Sequence, residues 1–252
     1  MNIILQGEKV SRVFRQGNRE NTVLNQVDIS IYEGDFTVIM GASGAGKSSL
    51  LYVLSGMDSV SGGKVFYKEK EISSFKEKQM AALRAKEFGF VFQQTNLVSN
   101  LTLFENVAVA GYVGKKGSTE EIRDRAGKLL KQMKIDKVQN RFPSQVSGGE
   151  AQRAAIARAM VGEPGLLFAD EPTGALNRSN TTEVLNLLTD LNRSGQSILM
   201  VTHDMRAAAR GNRILYLEDG KVLDELNLPP YSESRERSRE SRISGWLSGL
   251  QW

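Results

Sequence analysis

The residues Gly41, Ala42, Ser43, Gly44, Ala45, Gly46, Lys47 and Ser48, followed by Ser49, carry the most specific chemistry in the chain. Their spacing is that of the G-x-x-x-x-G-K-[ST] phosphate loop. Glycines here let the backbone enter conformations that a Cβ forbids, so successive N–H groups converge on one anion. A helix opening near Gly46 adds the positive end of its dipole. In such a loop the Lys47 ammonium reaches the β- and γ-phosphates and the Ser48 hydroxyl ligates Mg²⁺, which predicts a bound nucleoside triphosphate. A purely structural glycine turn is the competing reading. Strand, loop and apolar helix (Leu50, Leu51, Val53, Leu54) follow in the order the phosphate loop needs, which argues against it.

Two further clusters fit the same chemistry. Leu166 to Glu171 is an apolar run that delivers two carboxylates at its carboxyl end, where ligands sit in open α/β sheets. Asp170 would hold Mg²⁺ through water; Glu171, one step on and pointing elsewhere, would polarise the attacking water. Many strands end in solvated acids, so this pair takes its meaning from the phosphate loop. In Ser147-Gly148-Gly149-Glu150 the serine and glutamate form a capping box, and the two glycines leave the helix start open to a ligand. An ordinary capped helix start explains Ser147 and Glu150 but not the glycines.

The elements that must position these residues are legible in the hydropathy pattern. Phe36 to Met40 is an unbroken apolar run, as expected of a strand buried on both faces. Phe88 to Phe92, Leu166 to Ala169, Ser197 to Thr202 and Arg213 to Leu217 read the same way, and the first forty residues read as short strands with polar connections. Ser118 to Glu121 is a second capping box, after which Ile122, Ala126, Leu129, Leu130 and Met133 recur at helical spacing. Val184, Leu187, Leu188 and Leu191 predict another helix ending before Gly195. Strands alternating with helices predict a mostly parallel α/β sheet. The stretch of residues 95–160 is helical without a clear strand, an inserted helical subdomain.

Composition narrows the chemistry. The 252 residues contain no cysteine, so thiol catalysis, disulfides and Cys-based zinc sites are excluded, and the single histidine, His203, excludes a poly-His cluster. A net charge of +4, spread along the chain, does not argue for nucleic acid. No stretch approaches the length needed to cross a bilayer, and the first residues lack a basic n-region, which predicts a cytosolic chain whose membrane part, where needed, comes from a partner.

With these motifs in this order, residues 1–226 closely resemble the ATPase subunit of ATP-binding cassette (ABC) transporters. The resemblance implies an α/β P-loop NTPase core with an N-terminal antiparallel β-subdomain and an inserted helical subdomain, in an ATPase domain of residues 1–228. It implies ATP and Mg²⁺ as cofactors and a second ATPase subunit, a homodimer in which Ser147 to Glu150 of one copy close on ATP held by the other. It also implies an integral membrane permease as partner, no nucleic acid, and a peripheral place on the cytoplasmic face of the membrane. By similarity Gln93 is the Q-loop residue on Mg²⁺ and the attacking water, with Gln94 the alternative register. His203 matches the γ-phosphate histidine. Phe14 stands where an aromatic stacks on adenine, although it could equally pack in the β-subdomain. Three positions depart from the family pattern: Glu150 for glutamine, Asn177 for aspartate and Phe14 for tyrosine. Gly89 to Leu97 and Ala169 to Asn177 most resemble the branch of lipoprotein-releasing, macrolide-exporting and bacitracin-resistance-type peptide systems. The Lys-Glu-Lys run within Phe66 to Gln79 leans towards the peptide-resistance group, as does the C-terminal extension.

After Pro229-Pro230 the composition shifts to Ser, Arg and Glu through Arg242, which reads as a solvated linker. Ile243, Trp246, Leu247 and Leu250 then recur at helical spacing, with Trp252 terminal; Gly245 and Gly249 weaken any helix by about 1 kcal/mol each. Residues 229–252 read as a linker and amphipathic tail that could suit a membrane surface. The glutamates offset most of the arginine charge, however, and the expectation is docking on the chain's own domain or on a partner rather than lipid contact. Three functions compete at this level: a transport motor, an ATP-driven switch of a membrane protein, and a soluble ABC protein acting on nucleic acid. The third normally needs two cassettes or a long coiled coil, and this chain has neither.

Overall fold

Each apolar run singled out in the sequence is a strand, and each helical repeat is a helix. The computed structural model describes residues 2–17, 19–114 and 116–250, so Trp252 lies outside the described residues. In chain order the elements are β1 (Ile3–Gln16), β2 (Arg19–Tyr32), β3 (Phe36–Met40), α1 (Lys47–Leu54), β4 (Gly62–Tyr67), β5 (Lys70–Glu71), α2 (Glu77–Glu87), β6 (Phe88–Phe92) and α3 (Leu103–Gly114). There follow α4 (Thr119–Gln132), α5 (Gly148–Met160), β7 (Leu166–Asp170), α6 (Arg178–Arg193), β8 (Ser197–Val201), α7 (Met205–Ala208), β9 (Arg213–Glu218), β10 (Lys221–Asn227) and α8 (Glu236–Gly249). The chain divides into two compact units, residues 1–80 with 195–252, and residues 81–194.

In the first unit β3 lies between β8 and β9, parallel to both, and β10 closes the edge antiparallel to β9. All five residues of β3 are buried, as are all five of β8, which is why neither shows alternation. Leu50, Leu51, Val53 and Leu54 of α1 are buried as well, each contributing roughly 1.5–3 kcal/mol before chain entropy is subtracted. A separate antiparallel sheet has the order β2-β1-β4-β5. Its first two strands are not short: each runs 14 residues. The polar interruptions that read as connections are bulges, with Lys9 and Gln26 at φ +48° and +51°. Side chains bridge the broken ladder there. Lys9 N–H donates to Asp28 Oδ1 and Gln26 N–H to Ser11 Oγ.

The tail corrects a second expectation. Residues 229–242 are not a solvated linker: Tyr231 and Arg239 are buried, and α8 begins at Glu236. Ile243 and Leu247 pack inward, while Gly245 and Gly249 face open space, where a missing side chain costs no packing. Tail docking on its own domain is the arrangement observed.

In the second unit β6 and β7 pair in parallel. Between them, residues 93–165 hold α3, α4, α5 and two 3-10 turns, with no strand among the described residues. Capping boxes open all three helices. Thr102 with Glu105 serves α3, Ser118 with Glu121 serves α4, and Ser147 with Glu150 serves α5. Among the described residues no helix is long and apolar enough to cross a membrane.

Candidate active site

In the first unit the parallel pairing of β3 and β8 ends at Ile39 opposite Val201, so Gly41 and His203 each leave the sheet two residues later, at the same end. Gly41 has φ +156°, and a Cβ there would sit 2.1 Å from the Leu217 carbonyl oxygen. Gly46 has φ +100°, and its Cβ would meet the Val23 carbonyl oxygen at 2.8 Å. Both obstacles are backbone, so glycine is required. Lys47 Nζ donates to the carbonyls of Gly41 and Ala42, both at 2.8 Å, which holds the ammonium across the loop. Ala42, Ser43 and Gly44 are exposed, Ala45 is buried, and Ser48 and Ser49 are half-buried. The rim of the loop is exposed and its lysine is tethered across it, an arrangement of the kind that suits an oxyanion.

His203 is exposed on a braced turn. Buried Thr202 takes the Asp204 N–H on its Oγ1 (3.0 Å), and Asp204 Oδ1 accepts the Arg206 N–H (2.7 Å), capping α7. Phe14 is 44% exposed, so it does not fill the interior of the β-subdomain. The Arg12 guanidinium lies 4.4 Å from its ring centroid and is itself fixed by a bidentate pair to Asp58.

In the second unit Phe92 pairs with Asp170, so Gln93 and Glu171, each following its own strand, leave the sheet at the same end. Asp170 is buried, whereas Glu171 is half-buried with φ +46°, a strained conformation of the kind stored at functional sites. Gly174 N–H donates to the Glu171 carbonyl (3.0 Å), closing the turn. Gln93 is the glutamine over that turn: a Cβ on Gly174 would meet its Nε2 at 3.0 Å.

Sequence reasoning missed Gln152. Buried on α5, it donates from Nε2 to the Phe92 carbonyl (2.9 Å) and the Pro172 carbonyl (2.8 Å), bolting together the two strand ends that carry Gln93 and Glu171. The available signal was a lone carboxamide in an alanine-rich helix.

At the start of α5, Ser147 N–H and Oγ–H both donate to Glu150 Oε2 at 2.8 Å. Those bonds, the backbone one foremost, hold the Glu150 carboxyl below the usual glutamate range. Gly148 is exposed, whereas Gly149 is buried under Asn180, whose side chain a Cβ would meet at 2.4 Å. The two glycines therefore differ: one leaves the helix end open, the other admits α6. Asn177 Oδ1 accepts the Asn180 N–H (3.0 Å) and caps α6.

A sequence profile described as ABC transporter matches residues 24–174, which includes the loop, Gln93, the Ser147 helix start and the Asp170-Glu171 turn. The chain belongs to the ABC transporter family. This cassette is 42% identical over 224 residues to the lipoprotein-releasing system ATP-binding protein LolD of Aquifex aeolicus, covering 88% of the chain and 97% of that protein. It is 38% identical over 244 residues to the macrolide export ATP-binding/permease protein MacB of Mannheimia succiniciproducens, covering 95% of the chain but only 38% of that longer protein. The dimeric, ADP- and Pi-bound post-hydrolysis structure of the ATP-binding cassette MJ0796 superimposes with a TM-score of 0.83 at 36% identity, covering 90% of this chain and all of that one. The cassette is an ABC-type ATPase subunit of a transport system, with the fold its motifs predict.

The residues expected to hold a metal, Ser48, Gln93 and Asp170, offer hydroxyl, amide and carboxylate oxygens. Hard oxygen donors with few carboxylates suit Mg²⁺ that arrives with a nucleotide's phosphates.

Proposed function

We propose that two copies of this chain clasp two ATP molecules, the phosphate loop of one against the Ser147 helix start of the other, and that closure drives an integral membrane permease. Within each copy, Gly41 to Ser49 cradle the phosphates and Lys47 neutralises them. Phe14 stacks on the base, presenting the ring face opposite Arg12. Ser48, Gln93 and Asp170 hold Mg²⁺, which supplies charge neutralisation at the phosphate oxygens. Glu171 orients and polarises the attacking water, and His203 contacts the γ-phosphate. Ser147, Gly148, Gly149 and Glu150 offer the second copy's nucleotide an open helix end. The assembly sits peripherally on the cytoplasmic face, with membrane contact through the permease. Its cargo is of the kind named for its relatives, lipoprotein or macrolide, with peptide-antibiotic resistance the branch's third member.

The observation that carries this reading is the register Phe92 to Asp170, which sets Gln93 beside a Glu171 held at positive φ. Glu171→Gln tests it. The variant should bind ATP, stop turnover and accumulate as a nucleotide-dependent dimer on size exclusion with ATP and Mg²⁺. Full turnover by Glu171→Gln would remove the water-activating role.

A further inference from the structure

Helix α7 is a single turn, four residues long, with His203 and its Asp204 cap at one end. A helix this short cannot sustain its own geometry, because nucleation costs more than two or three internal bonds return. Its carboxyl end is held by the tail. Arg239 of α8 is 3% exposed and donates from Nε to the Ala209 carbonyl (2.7 Å), from Nη2 to the Gly211 carbonyl and from Nη1 to the Pro229 carbonyl. One planar guanidinium thus gathers the exit of α7 and the start of the tail, a grip that lysine's single point charge cannot reproduce. The surroundings fix the fork in turn. The Arg210 and Arg239 guanidinium groups both lie over the Tyr231 ring, at 4.2 and 5.7 Å from its centroid, while the Tyr231 hydroxyl and Arg210 both donate to Glu236. Ala207, Ala208 and Ala209 are fully buried and Asp204 is tied to Thr202 and Arg206, so the segment that joins His203 to the Arg239 grip is short and held at both ends.

We propose that Arg239 is a positioning residue for His203 and that the tail helix sets the rate of ATP cleavage rather than the affinity for ATP. The proposal rests on the γ-phosphate role of His203 given above. None of the residues involved lies within the stretch that the family profile matches.

In the full-length chain, Arg239→Met should lower kcat about tenfold and leave KM for ATP within about twofold. Arg239→Lys should fall between, and carries the same measurements where the methionine variant does not fold. Trp246→Phe loses the indole bond to Asp224 (2.7 Å) without touching α7, and should lower Tm with kcat unchanged. The deciding readout is a double-mutant cycle: in a His203→Ala background, Arg239→Met should cost nothing further from the residual single-turnover rate. Unchanged kcat in folded Arg239→Met overturns the proposal, as does an equal fold-loss in both backgrounds, the mark of a merely structural role. A fully active His203→Ala would instead overturn the role of the histidine itself, whatever Arg239→Met does.

Discussion

The side chain of Gln93 lies on Gly174, close enough that an added methyl would stand 3.0 Å from its Nε2 and 3.2 Å from its Cδ. The glutamine after β6 and the turn after β7 therefore share one surface, and the absence of a Cβ sets its depth. Gly174→Ala should cost under about 1 kcal/mol in thermal melts, since an exposed, flexible side chain can yield. It should lower steady-state ATPase about tenfold by displacing Gln93, equivalent to about 1.4 kcal/mol of barrier. Retained activity would show that Gln93 tolerates being lifted from the turn.

Gln152 has the opposite profile, fully interior with both acceptors on backbone. Gln152→Met keeps the volume but strands the Phe92 and Pro172 carbonyls, at a cost of about 2–5 kcal/mol. Denaturant unfolding should show that loss. A change below 1 kcal/mol, by the same scale, would mean that water replaces the carboxamide.

Three capping glutamates, Glu105, Glu121 and Glu150, are each held below the ordinary glutamate range by the backbone N–H and then the hydroxyl of their cap residue. A folded value lowered in this way contributes stability that is complete above the ordinary range. It is lost as pH falls through the lowered value. Helicity should therefore decline on acidification below about pH 4.3. Combined Glu105→Gln, Glu121→Gln and Glu150→Gln, which keep the bonding shape, should make that decline shallower by circular dichroism.

Asn177 caps α6 through its side-chain oxygen. Asn177→Asp should leave Tm unchanged or slightly raised, because both residues cap equally well and the charge suits a helix start. Asn177→Ala should cost about 1 kcal/mol. A large penalty for the aspartate would point to a neighbouring carboxylate or a buried site at this position.

Local rules made much of this molecule legible. Lys47 and Ser48 fall where the glycine spacing demands, and the buried strands announce themselves by lacking alternation. The boxes at Ser118 and Ser147 read directly; the one at Thr102 with Glu105 obeys the same rule but is masked by the hydrophobic residues around it. What stayed hidden depends on distant partners. Gln152 looks like any helical glutamine until the Phe92 and Pro172 carbonyls are beside it. Arg239 sits in a Ser-Arg-Glu stretch whose average polarity suggests solvent, yet it alone of that run is turned inward to three carbonyls. Composition describes a segment, whereas burial is decided residue by residue. The long β1–β2 pair was obscured for a related reason, since bulges at Lys9 and Gln26 interrupt alternation without ending the strands.

Trp246 meets Tyr216 edge to face at a centroid distance of 6.3 Å and is bonded through its indole N–H to Asp224. Tyrosine excitation at that separation passes to the indole, and indole emission shifts with hydration. With Trp252→Phe removing the second indole, the chain thus contains its own optical reporter of whether the last helix is seated, readable during ATP turnover without any attached dye.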